Sequence, residues 1–68
     1  MEWLVVSTSR YMDIFIIKVI ANDHDEAITK AGEVDAWEQI IYDDPVLEGL
    51  DIYPSDIQAT QIDKDSEQ

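Results

Sequence analysis

The side chains able to do chemistry in this chain are almost all carboxylates. Residues 35–51, "DAWEQIIYDDPVLEGLD", carry Asp35, Glu38, Asp43, Asp44, Glu48 and Asp51 among eight apolar side chains, with no Lys or Arg to pair with them. A second group, "DHDE" at 23–26, sets Asp23, Asp25 and Glu26 around the single histidine, His24. Carboxylates in such groups can ligate a hard cation, move protons, or meet a basic surface. As a cation loop the second group fails, because Ala27 stands where a third oxygen ligand is needed and no matching Gly follows. An acid-rich helix start needs no metal, so neither metal nor cofactor is expected. Nucleophilic catalysis is equally short of parts. Cysteine is absent, His24 is the one imidazole, no Gly-rich phosphate loop occurs, and no base neighbours Ser7, Thr8 or Ser9 to activate a hydroxyl. A non-enzymatic, surface-binding role is the expectation.

Charge strengthens it. Sixteen acids stand against Arg10, Lys18, Lys30 and Lys64, for a net −12, and the imbalance lies after residue 22. Two acids and two bases precede that point, and fourteen acids and two bases follow it. The same sign of charge excludes nucleic acid and anionic membrane as partners, and a basic protein surface is the natural complement. Mixed charge keeps a domain soluble without so steep a self-repulsion, so solubility alone accounts poorly for the scarcity of lysine. An acid-rich solvated face without a partner is the alternative.

The elements that must position these groups follow from apolar spacing. Sixty-eight residues make one domain near the lower limit of a self-sufficient core, and without cysteine that core rests on packing alone. The segments 2–7 and 12–21, rich in Val, Ile, Phe and Trp, read as two strands joined through the polar run 7–10. In the second strand Phe15, Ile17, Val19 and Ala21 alternate with Met12, Ile14, Ile16, Lys18 and Ile20, so both faces are apolar. One helix covers only one of them. The Ile14, Ile16, Ile20 face therefore calls for the segment 46–53, or for a second copy in a homodimer.

Asn22 or Asp23 can cap a helix, Asp23 with Glu26 has the spacing of a capping box, Ala27, Ile28 and Ala31 form the helix's stripe, and Gly32 is placed to end it. Asp35 with Glu38 repeats that spacing ahead of Trp37, Ile40 and Ile41, which predicts a second helix over 35–42. Carboxylates three or four residues apart on such a helix lie about 5–6 Å apart, close to the spacing of phosphates along a nucleic-acid strand. Pro45 and Gly49 bracket one helical turn or a loop, and 57–62 reads as a third strand, placed at an edge. The predicted architecture is α+β, in the order β-β-α-α-β. A three-stranded, largely antiparallel sheet packs on one or two short helices over residues 1–62, and 63–68 form a frayed acidic tail.

The stretch "WLVVSTSRYMDIFIIKVIANDHDEAITKA" resembles, in layout, the strand, strand and helix start of small phage proteins that inhibit host RNA polymerase. As a short acidic chain the whole resembles phage DNA mimics and anti-CRISPR proteins. The first likeness spans about half the chain and departs at the last strand. The polymerase inhibitors use arginines there, and 56–62 holds no basic residue. The resemblance implies an inhibitor, in the cytoplasm of a host cell, that occupies a basic nucleic-acid-binding surface of a host defence complex, with host RNA polymerase as the alternative target. The clustering of the acids gives the expected contact residues, Asp35, Glu38, Asp43, Asp44 and Glu48, with Asp23, Asp25 and Glu26 as a second patch. A structural or adaptor domain, whose charge serves solubility only, is the reading it must displace.

Overall fold

A computed structural model describes residues 1–62; the acidic tail expected over 63–68 lies outside the described residues. Two strands, β1 (Glu2–Thr8) and β2 (Ile14–Ile20), precede the helix α1 (His24–Gly32), and β3 (Glu38–Ile40) and β4 (Ile57–Ile62) follow it. The strands form one antiparallel sheet in the order β3-β2-β1-β4. The fold is thus a small α+β domain with four strands and one helix, where three strands on one or two short helices were expected.

The hairpin between β1 and β2 closes without Gly or Asn. Ser9 Oγ accepts from the Tyr11 and Asp13 amides, both at 3.1 Å, and Met12 takes the left-handed conformation with φ 66°. That conformation costs a side-chain-bearing residue roughly 1–2 kcal/mol, a cost the seven-residue ladder from Glu2↔Ile20 to Thr8↔Ile14 offsets.

The pleat sorts the sheet into two cores, because successive side chains point to opposite faces. On one face Val5, fully buried, packs with Ala21, Ala27 and Ala31, and Trp3, Ile17, Val19, Ile28, Trp37 and Ala59 surround them. The small Ala27 and Ala31 let α1 approach the sheet closely. This is the expected helix-facing set except for Phe15, which shares the face but lies outside that cluster. On the other face Leu4, Val6 and Ile14 meet Leu47, with Ile16, Ile40, Leu50, Ile52 and Ile62 around them. The second face is therefore filled by the segment 45–52 of the same chain, opening with the 3-10 turn Pro45–Leu47 and turning at Gly49, whose φ of 83° suits glycine. This bears on the alternative of a homodimer through Ile14, Ile16 and Ile20: Ile14 is 1% exposed and Ile16 is half-buried, so of the three only Ile20, 63% exposed, is open to a second copy.

The expected helix over 35–42 is replaced by β3. Glu38 and Ile40 stand opposite Ile16 and Ile14, which brings Ile40 onto the second core. Trp37 turns the chain into this position: its indole N–H donates to Val34 O at 2.8 Å and Ala31 O at 3.2 Å, tying the strand's start to the C-terminal end of α1. Sheet pairing and burial of Ile40 here outweigh a capping signal worth about 1 kcal/mol.

Ile14 and Ile20 share a strand, a face and a residue type, and differ only in cover. Ile14→Ala should destabilise by about 2–5 kcal/mol and Ile20→Ala by less than about 1 kcal/mol, measured by urea unfolding. Equal losses would mean that the segment 45–52 does not cover Ile14.

Candidate functional site

The acids divide by what their oxygens do. Asp23 caps α1, its Oδ1 accepting from the Glu26 amide at 2.8 Å, and Asp44 caps the 3-10 turn, its Oδ1 accepting from the Val46 amide at 3.0 Å. Each satisfies a backbone donor that the helix start leaves orphaned. Glu26 pairs with Lys30 one turn on, at 3.1 Å, and accepts from the Asn22 amide group at 3.4 Å. The hydrogen bond from Lys30, foremost, holds the Glu26 carboxyl below the usual carboxylate range. A folded-state pKa below the unfolded one places the stabilisation above the ordinary carboxylate pKa, and it is lost as the pH falls through the lowered value. Lys30 also donates to Ile20 O at 2.7 Å, so one ammonium joins the helix to the end of β2. Asp25 and Glu26 in the first turn and Lys30 in the last run with the helix dipole.

The rest of the proposed contact set has no such employment. Asp25, Asp35, Glu38, Asp43 and Glu48 are exposed, and among the described residues no backbone amide donates to their carboxylates, Asp25 meeting only the His24 ring at 3.5 Å. They are distributed along the chain's path. Asp35 lies between α1 and β3, Glu38 opens β3 opposite Ile16, and Asp43, Asp44 and Glu48 line one shallow, open depression with Tyr42, Pro45 and Leu47. The structure thus gathers three of the five acids of the main patch. Glu38 sits on the adjoining edge strand, and the group at 23–26 lies apart, at the start of α1. The helical spacing of carboxylates expected over 35–42 does not exist, because that segment enters the sheet.

The sequence reading passed over the apolar part of this surface. Ile41 and Tyr42 are 70% and 60% exposed, and Tyr42 forms the rim of the acidic depression. Ile41 and Tyr42 fit the helix expected over 35–42, and only the end of β3 at Ile40, ahead of Asp43-Asp44-Pro45, leaves them on the outside. An exposed tyrosine beside carboxylates suits a guanidinium, which pairs with the acids through its N–H fork and lies against the ring by its face.

His24 stands at the start of α1 with its ring edge-on to Trp3, centroids 6.2 Å apart, and Nδ1 3.5 Å from Asp25 Oδ1. Among the described residues no three His, Asp or Glu side chains come together in the manner of a metal site, and no helix is long and apolar enough to cross a membrane. Compared with family models, with characterised proteins and with solved structures, the chain matches none.

The division of labour among the acids is measurable as stability. Asp23→Ala and Asp44→Ala should each cost about 0.5–2 kcal/mol as caps are lost. Asp43→Ala should fall within about 0.5 kcal/mol of the parent, because it removes only exposed charge, and Asp25→Ala should cost no more than about 0.3–1 kcal/mol for its place in the first turn of α1. Thermal unfolding of the four variants at one ionic strength decides it.

Proposed function

We propose that the chain is a non-catalytic inhibitor of phage or mobile-element type that docks its acidic surface on a basic nucleic-acid-binding surface of a host defence complex, in the host cytoplasm, as a mimic of the nucleic-acid backbone. The observation that carries the proposal is the exterior of the segment 35–51: six acids, no base, and an exposed Tyr42 at the rim of the depression formed by Asp43, Asp44 and Glu48. Stability does not ask for that composition. Thirteen acids against three bases in residues 1–62 repel one another across a domain of this size, and two caps and one ion pair account for only three of the eight acids in the proposed contact set. Like-charged groups held at a cost to the fold are released from that cost when a cationic surface covers them.

Host RNA polymerase is the less favoured target, since β4 carries none of the basic residues that the resembling inhibitors use there. The solubility reading draws on the same exposure of Asp25, Asp35 and Glu38, but it assigns no role to Tyr42 among the acids.

The test uses matched charge. Immobilised chain is used to retain a partner from bacterial lysate at low salt, and the partner eluted by high salt is identified and purified. Asp43→Lys with Glu48→Lys should weaken its binding by at least about tenfold. Asp13→Lys with Glu33→Lys makes the same change in net charge outside the depression and should weaken it far less. Affinity should also fall by about tenfold or more between low and moderate salt, as expected where attraction between charged surfaces is screened. Equal affinities for the two double variants, measured by calorimetry, would leave the acids as a solvated face.

A further inference from the structure

Among the described residues one edge of the sheet is open and lacks the usual local guards. Natural edges are blunted by Lys, Pro, bulges or cover. β4, an edge strand of sequence "IQATQI", has no charge, no Pro and no interruption of register from Ser7↔Ile57 to Glu2↔Ile62. The direction of its backbone groups follows from one bond. The Thr8 amide donates to Asp56 O at 2.8 Å, and hydrogen-bonded pairs alternate along an antiparallel ladder. Gln58, Thr60 and Ile62 therefore turn their N–H and C=O groups toward β1. Ile57, Ala59 and Gln61 turn theirs away from it, and among the described residues no group pairs with them there. The opposite edge differs: β3 is three residues long, and the Ile41 carbonyl at its end already accepts from the Asp44 amide at 3.1 Å.

What guards β4 is the charge of the whole molecule. At net −12, with Asp51 and Asp56 just ahead of the strand and no base between Lys30 and Ile62, a second copy is repelled from this edge, whereas a cationic strand is drawn to it. We infer that the outer edge of β4 accepts an extended segment bearing Lys or Arg as a fifth strand, bonded through the main chain of Ile57, Ala59 and Gln61. Main-chain pairing supplies the affinity in strand addition, and here the sign of charge supplies the selection. The inference rests on the proposed function for the sign of the partner's charge, and it places part of the partner away from the acidic depression.

The probe is a synthetic peptide of alternating Thr and Val with Lys at each end, added to the full chain while amide hydrogen exchange is followed by NMR. Without peptide, the amides of Ile57, Ala59 and Gln61 should exchange faster than those of Gln58, Thr60 and Ile62. At ten times its Kd the peptide should slow the first three by about tenfold. The same peptide with Glu at each end should not, and neither should the Lys peptide with its alternate amides N-methylated. Ile57→Pro with Gln61→Pro removes only outward N–H groups and should abolish peptide binding; the methylated peptide answers the same question if that variant does not fold. The inference is overturned if the Glu peptide protects equally, or if the Lys peptide protects only residues 38–44. It is equally overturned if the three amides are already slow in a species of dimer mass. Protection confined to 38–44 would sink the strand-addition model and leave the acidic docking surface standing, so the two failures are distinct.

Discussion

A sheet that is apolar on both faces, with one helix to cover it, is the constraint on which this molecule turns. β1 contributes to both sides at once, Val5 beneath α1 and Leu4 and Val6 beneath the segment 45–52. A fully buried aliphatic side chain is worth about 1.5–3 kcal/mol, and a chain of this size has few to spare. The second face cannot be left wet, and the residues after β3 supply Leu47, Leu50 and Ile52 to close it.

That requirement also positions the acids. With Leu47, Leu50 and Ile52 turned to the sheet, the carboxylates interleaved with them lie on the outside, and Asp43, Asp44 and Glu48 meet around one depression. The acidic surface is thus the outside of the element that completes the core. It is held in shape by that element's own devices, the Asp44 cap and the turn at Gly49. A surface anchored in this way on the packing of Leu47 would lower the ordering cost of the proposed docking.

Local signals carried the sequence reading well where they agreed with tertiary demand. The Ala27 and Ala31 stripe and the bounds of the last strand are present, Asp23 is the cap of the two residues offered, and of a helical turn or a loop after Pro45 the turn is found. The two-faced pattern of β2 correctly pointed to 46–53 as one way to cover its far side. The failure at 35–42 has a definite cause. Asp35, Glu38, Trp37 and Ile40 satisfy a helical pattern, but the bare flank of β2 at Ile14 and Ile16 offers pairing and burial that no single-sequence spacing reveals. Met12 was illegible for a related reason: its left-handed backbone is imposed by the Ser9 hydroxyl and the closing ladder, and nothing in a methionine announces it. Of the candidate site, the abundance of acids was plain in the sequence, whereas its partition into caps, an ion pair and uncommitted carboxylates required the fold.

Backbone mimicry makes a claim that charge alone does not, namely that the chain and nucleic acid occupy the same surface. The direct measurement is competition: the purified basic partner, saturated with fluorescent double-stranded DNA, is titrated with the chain at constant salt while anisotropy is followed. The account predicts full displacement of the DNA, with an apparent affinity for the chain that falls in proportion as DNA concentration is raised. A ternary complex, in which the chain binds and the DNA stays, would contradict it.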